Sequence, residues 1–259
     1  MLRKLIKYDF LWMNRTLIIF FILTIIFAIL TRISYGLTDS AIGSLMRHIL
    51  PACTIAAMAD TIINAAIRVW ARFRQNCYKD EAYLTHTLPV TKGQLYDSKI
   101  ISGLLVTLCS AAVVIGCFFI AFWDDDMYQY FHNLIAYKDM GFILGGVIVT
   151  AVLEVIYIVA VGIFGIVVGH RSNNNRTVYS AIIGIGLYFA LQMALLAAIY
   201  VAGFFDDSIK AMFSNNPDNS LSFSSYRSLV LISDIIYAIL NVGLFLGART
   251  IFKKGVNVE

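Results

Sequence analysis

The 259-residue sequence has little charge, little proline and none of the short motifs that mark the common hydrolytic enzymes. Only 14% of its residues are charged and 59% are hydrophobic, whereas a typical soluble domain carries about 25% charge. A soluble chain of this length could not bury so much apolar surface in one core. The three prolines leave room for long unbroken helices. These shortages exclude an ordinary soluble domain and predict an integral membrane protein.

Several kinds of chemical site are also missing from the sequence. The four cysteines form no CxxC pair and no Cys/His cluster, which predicts free thiols without a disulfide framework. There is no HExxH or GxSxG motif, and no GxxxxGK[ST] loop that would hold a nucleoside triphosphate. The net charge of +4 is not gathered into one basic stripe, so nucleic acid is not an expected partner. We therefore expect no catalytic, cofactor or metal site in this chain.

Six stretches are long and apolar enough to cross a bilayer, which takes about 20 residues. They are residues 17–37, 49–69, 100–123, 141–169, 178–204 and 228–252. Residues 1–15 place their apolar side chains on one helical face, which predicts an amphipathic helix lying in the membrane interface. The alternative is a fraying helical leader that runs into the first span. No A-x-A cleavage site follows the first stretch, so it is interpreted as an uncleaved span and not as a signal peptide. The predicted fold is an all-α membrane protein with six spans.

Lysine and arginine are unevenly divided between the connecting segments. Fifteen of the 20 lie at the N-terminus, around 68–99, in 170–177 or near the C-terminus. The positive-inside rule places that side in the cytoplasm together with both termini. The two N-x-[ST] sequences, at 14–16 and 175–177, then lie where no glycosylation occurs.

Two longer segments fall on the opposite, outer side. Residues 124–140 are acidic and aromatic, and the adjacent Asp124, Asp125 and Asp126 lack the spacing of a calcium-binding loop. Residues 205–227 alternate apolar side chains with a turn-forming Asn-Asn-Pro-Asp-Asn sequence. This pattern favours short helices that dip into the interface.

Acidic residues interrupt three of the predicted spans. Asp60, Glu154 and Asp234 lie in spans two, four and six, and Asn64 follows Asp60 by one helical turn. Charges in hydrocarbon are costly, so these four residues are candidates for lining a substrate path or a proton relay. The alternative is a structural contact with Gln192, Asn241 or a tyrosine on a neighbouring helix.

The polar segment 70–99 carries the most informative local pattern. Thr91 and Gln94 match a capping box, which predicts a helix that continues into the third span. Pro89 disfavours helix at Leu88, so a break is predicted at 88–90. Residues 79–87 can form a short helix before this break. Such a short helix is marginal by itself and needs a surface to lie on, which is either a partner or the protein's own face.

Residues 79–92, KDEAYLTHTLPVTK, resemble the first cytoplasmic loop of ABC-2-type transporter permeases. The resemblance is to the short bacterial permeases whose loop carries an E-Y-L-x-x-T-L-P-V run. It extends to the layout of an interfacial helix, six spans and a larger outer segment between the last two. It implies a single permease domain over 1–259 with a type V exporter-like architecture. The residues that it implies for coupling to an ATPase are Lys79, Asp80, Glu81, Tyr83, Leu84 and Leu88.

The resemblance also implies a function. The chain would be the transmembrane subunit of an ABC exporter in a bacterial plasma membrane, powered by separate ATPase subunits that bind ATP and Mg. A second permease subunit, identical or different, would complete the pathway, and residues 205–227 would cap its outer exit. The weakly charged, aromatic spans favour an amphipathic or hydrophobic substrate, and some similar permeases export antimicrobial or cytolytic peptides.

Two other functions remain open. The first is an ion-coupled secondary transporter or channel that uses Asp60, Glu154 and Asp234. The second is a membrane sensor or scaffold without transport.

Overall fold

The computed structural model describes residues 2–36, 41–79, 81–135, 137, 140–172, 175–205, 210 and 223–255. All regular structure in these residues is helical. The helices are α1 (Leu2–Tyr35), α2 (Ala41–Tyr78), α3 (Ala82–His86), α4 (Lys92–Phe122), α5 (Asp125–Ile135), α6 (Met140–Gly169), α7 (Arg176–Ala202) and α8 (Phe223–Lys253). Six of them are long and apolar enough to cross a membrane. The predicted all-α class with six spans is confirmed.

The first helix runs without a break from Leu2 to Tyr35, whereas the prediction divided it near residue 16. No proline or glycine interrupts it. At 1.5 Å per residue it is about 50 Å long, which exceeds the roughly 30 Å hydrocarbon core. Asp9 and Met13 are buried in this first part of the helix. Residues 2–15 and the first predicted span are therefore parts of one continuous helix, and Asp9 and Met13 on its first part face the protein. The interfacial position of residues 1–15 stays a prediction.

The predicted polar loop is shorter than expected, because helices enter it from both sides. α2 continues to Tyr78 and α4 begins at Lys92, so the 70–99 loop reduces to residues 79–91. The predicted capping box is confirmed. The Gln94 N–H donates to Thr91 Oγ1 at 3.3 Å, and the Thr91 N–H donates to Gln94 Oε1 at 3.2 Å. The predicted break around Pro89 is also present, between α3 and α4.

The helices of the chain pack into two compact units. The first comprises Met1–Gln129 and Val258–Glu259, and the second comprises Tyr130–Asn257. In the first unit α1 packs against α2 and α4, and α3 contacts α2. In the second unit α6 packs against α7 and α8. Each unit thus holds three of the six long helices.

Hydroxyl groups join α1 to α2 within the first unit. The side chains of Thr24 and Thr61 hydrogen-bond at 2.8 Å, and those of Thr31 and Thr54 at 2.7 Å. All four threonines are buried. Interhelical hydrogen bonds of this kind contribute to helix association in lipid, where burial of apolar surface between helices provides little drive.

Small residues bring α6 and α7 into backbone contact in the second unit. Gly165 and Gly169 on α6 face Ser180 and Gly184 on α7. A Cβ added at Gly165 would lie 2.9 Å from the Gly184 Cα, closer than a carbon atom can approach. Both helices therefore present a small-xxx-small pattern, the sequence feature that lets membrane helices pack closely.

We expect Gly169→Ala to lower the thermal unfolding midpoint of the purified protein in detergent. The added Cβ would lie 2.5 Å from the Ser180 Cα, and overpacking of this kind costs about 1–3 kcal/mol. Gly145→Ala on the same helix is the control, because no atom lies within 4 Å of its added Cβ. Equal midpoints for the two variants would contradict the close approach of α6 and α7.

Candidate functional site

The five-residue helix α3 presents an apolar outer face. It contacts α2, and Ala82 and Thr85 are buried. Tyr83 and Leu84 are 65% and 75% exposed, and Leu88 just beyond the helix is also exposed. Of the residues predicted for ATPase coupling, these three form the accessible surface. We name Tyr83, Leu84 and Leu88 the α3 face.

The remaining predicted coupling residues occupy other places. Asp80 lies outside the described residues. Lys79 is half-buried, and its N–H donates to the Arg74 carbonyl at 3.2 Å. Glu81 is half-buried, and its Oε2 accepts a hydrogen bond from Arg72 Nη1 at 3.0 Å. Glu81 is therefore an attachment point of α3 and is separate from the α3 face.

Arg72 belongs to a buried charge cluster that unites three long helices. Arg72 Nε donates to Asp9 Oδ1 at 2.8 Å, and Lys99 Nζ donates to Asp9 Oδ2 at 2.5 Å. Asp9 and Lys99 are only 2% and 5% exposed. One carboxylate of α1 thus binds a guanidinium of α2 and an ammonium of α4. Charge-assisted bonds of this type offset the desolvation of buried ions only when the partners are well aligned.

The amide of Asn76 completes the cluster, in the orientation that satisfies both its oxygen and its nitrogen. Nδ2 donates to Glu81 Oε2 at 2.6 Å, and Oδ1 accepts from Arg72 Nε at 2.7 Å and from Lys99 Nζ at 3.2 Å. Two acids and two bases therefore surround one amide, and their formal charges balance. We name Asp9, Arg72, Asn76, Glu81 and Lys99 the ion network.

The sequence interpretation missed the ion network, although one signal was present. Asp9 is the only acidic residue before Asp39, and it stands among Arg3, Lys4 and Lys7. It also precedes the buried Met13 by four residues, which places both side chains on one helix face. An acid on the buried face of a basic, membrane-spanning helix requires a cation on a neighbouring helix.

The acidic candidates in the spans do not share one unit. Asp60 lies in the first unit, and Glu154 and Asp234 lie in the second. Asp60 is exposed on α2 and accepts a hydrogen bond from Asn64 Nδ2 at 2.8 Å. Asp60 and Asn64, which the sequence places one helical turn apart, thus form one polar patch on the surface of α2.

In the second unit, Asp234 bridges α8 and α6. Its Oδ1 accepts a hydrogen bond from Thr150 Oγ1 at 2.6 Å. Glu154 follows Thr150 by one turn of α6 and is half-buried. The partner of Asp234 is thus a threonine that the sequence interpretation had not considered.

The polar residues proposed as structural partners of the acids make other contacts. Gln192 Nε2 donates to the Tyr237 hydroxyl at 3.2 Å, which links α7 to α8. Asn241 Nδ2 donates to the Leu153 carbonyl at 3.1 Å, which links α8 to α6. These bonds hold the three long helices of the second unit together.

The features above define a multi-pass membrane protein with six apolar helices and a buried ion network that links three of them. The described residues contain no cluster of three His, Cys, Asp or Glu side chains placed to hold a metal ion. Of the predicted outer segment 205–227, residues 206–209 and 211–222 lie outside the described residues. No protein-family model matches the sequence, and comparisons with curated proteins and with solved structures give no match.

Proposed function

We propose that the chain is the transmembrane permease subunit of an ABC exporter in a bacterial plasma membrane. The end that carries α3 and both termini would face the cytoplasm, and separate ATPase subunits would supply energy from ATP and Mg. The observation that carries this proposal is the α3 face. Glu81, directly before this short helix, forms an ion pair with Arg72. Tyr83 and Leu84 on the helix and Leu88 just after it are exposed to solvent.

An exposed aromatic and aliphatic cluster is the usual composition of a binding hot spot. Tyr83 and Leu84 lie in a segment that begins and ends with the cations Lys79 and Lys92. The loop sequence around them resembles the segment through which ABC-2 permeases contact their ATPase. Geometry and resemblance therefore support the same partner for the same side chains.

The polar patch on α2 supports a transport path. Asp60 and Asn64 are paired with each other and reach the surface of an apolar helix. A charged side chain that faced lipid there would be costly, so we assign this face of α2 to a pathway shared with a second permease subunit. The second subunit is identical or different. We propose an amphipathic or hydrophobic cargo, with antimicrobial or cytolytic peptides as the specific candidates.

The mechanism that we propose is mechanical coupling. ATP-driven closure of the ATPase subunits would displace α3, and α2 and α4 would move with it because they flank it in the chain. The free energy of ATP binding in the ATPase subunits is thereby linked to the opening of the transport pathway in the permease. The chain itself needs no phosphate-binding loop for this role.

The test first looks for a Walker-motif ATPase in the neighbouring reading frames. It then measures whether that ATPase co-purifies with this chain and whether the chain changes its rate of ATP hydrolysis in nanodiscs. We expect the two chains to purify together and the permease to stimulate hydrolysis. An ATPase whose activity does not respond to this chain, and that does not bind it, would overturn the proposal.

Ion-coupled transport is the second candidate function, favoured by acids that lie within apolar helices. Asp234 and the half-buried Glu154 are the residues that would carry it. It requires that the purified chain, alone in proteoliposomes, moves solute in response to a proton or sodium gradient. Asp234→Asn would then abolish transport, whereas transport that depends on the ATPase would exclude this candidate.

A further inference from the structure

Arg72 contacts both Glu81 at the base of α3 and Asp9 on the first long helix. Its Nε binds Asp9 on α1 at 2.8 Å, and its Nη1 binds Glu81 beside α3 at 3.0 Å. A guanidinium is rigid and planar, so two of its nitrogens fix the positions of two partners at once. A lysine at this place could not hold both carboxylates in the same geometry.

The plane of the guanidinium is itself fixed. Arg72 Cζ lies 4.8 Å from the ring centroid of Trp12 on α1, within the range of a cation–π contact. The Arg72 side chain is 13% exposed. The orientation of Arg72, and with it the position of Glu81, therefore depends on α1.

α3 has little else to fix its position. It is five residues long, and no side chain caps its N-terminus. Isolated helices of this length are not stable in water. The buried Ala82 and Thr85 hold it on α2, and Glu81 ties it to the ion network.

We propose that Arg72 is the positioning residue that locks α3 to α1, and that Asp9 extends this lock to α4 through Lys99. This inference rests on the proposed function for its purpose, because the lock would deliver a displacement of α3 to the three long helices of the first unit together. α3 then moves as part of that unit and does not swing on its own loop.

The first experiment uses the purified full chain in nanodiscs, without any partner. Hydrogen–deuterium exchange is measured for residues 82–88 in the wild type, Arg72→Lys, Asp9→Asn and Glu81→Gln. We expect each variant to raise exchange in this segment about tenfold, which corresponds to about 1.4 kcal/mol of lost local stability. Asp9→Asn is the decisive variant, because its side chain lies on another helix, 63 residues from Arg72 in sequence.

Lys92→Gln is the matched control, since Lys92 is an exposed cation at the start of α4 outside the ion network. It should leave exchange at 82–88 unchanged. Glu81→Asp keeps the charge and should restore part of the protection that Glu81→Gln removes. Unchanged exchange in Asp9→Asn and Arg72→Lys would overturn the lock. If those two variants fail to fold, unchanged exchange in Glu81→Gln, which lies near the surface, would overturn it equally.

A second readout separates the lock from the proposed function. In the complex with the ATPase, Arg72→Lys leaves the α3 face intact, so ATPase binding should persist while transport per ATP hydrolysed falls several-fold. If the ATPase does not bind the wild type, the proposed function is wrong. The exchange result still tests the lock, because it is measured without any partner. Normal transport per ATP in Arg72→Lys would show that the lock does not transmit motion.

Discussion

Replacing Asp9 by leucine should destabilise the protein by about 3–5 kcal/mol, the usual effect of removing one partner from a buried ion pair. Lys99 and Arg72 would lose their shared carboxylate while Lys99 remained almost wholly buried. We expect a large fall in the thermal unfolding midpoint in detergent and a reduced yield of folded protein.

Two further variants identify the cause. Lys4→Leu on the same helix replaces an exposed charge and should change the midpoint little. Asp9→Leu combined with Lys99→Met removes both members of one pair, and Arg72 keeps Glu81 and Asn76. This double variant should be more stable than Asp9→Leu alone. A double variant no more stable than the single one would show that packing around Asp9, and not its charge, determines the loss.

Truncating the α3 face should remove most of the affinity for the ATPase. We expect Tyr83→Ala combined with Leu84→Ala to raise the dissociation constant about 100-fold, which is roughly 3 kcal/mol for two hot-spot side chains. Both residues are exposed, so the unfolding midpoint should stay near that of the wild type. The measurement is binding of the purified ATPase to the permease in nanodiscs.

The matched control for this prediction lies on α5. Tyr130 and Ile135 are 62% and 58% exposed, similar to Tyr83 and Leu84. In the proposed topology α5 lies on the outer side, so Tyr130→Ala with Ile135→Ala should leave ATPase binding unchanged. An equal loss of binding in both pairs would mean that the effect is not specific to the α3 face.

Glu81→Ala should behave differently from the truncation of Tyr83, although both residues belong to the same sequence pattern. Sequence alone assigned the two to one contact surface. In the structure the Glu81 carboxylate binds Arg72, whereas Tyr83 is 65% exposed. Loss of the Glu81 carboxylate would therefore remove the ion pair that connects α3 to the ion network. Loss of the Tyr83 ring would instead remove contact area from the α3 face.

Features encoded by neighbouring residues could be predicted from the sequence. Long apolar stretches gave the six spans, because a bilayer demands about 20 such residues in succession. The capping box depends on Thr91 and Gln94, which are three residues apart. The break depends on the ring of Pro89, which disfavours a helical conformation at the residue before it. The pairing of Asp60 with Asn64 follows from one turn of helix.

Features encoded by distant residues could not be predicted in this way. Asp9 meets Arg72 across 63 residues and Lys99 across 90, and Thr150 meets Asp234 across 84. Such pairs depend on which helices become neighbours and on their rotation about their axes. The continuity of α1 belongs to the same group, because Asp9 in its first part is buried in ion pairs with Arg72 of α2 and Lys99 of α4.

The sequence by itself determined that this is a membrane protein with six apolar helices and a polar, capped connection between the second and third. Those properties depend on composition and on spacings of one or two helical turns. Only the tertiary structure decided that the connection is tied by Glu81 and Arg72 to a buried carboxylate on α1. A buried carboxylate needs a cation close to it, and the cations that pair with Asp9 reach it only when α1, α2 and α4 pack together.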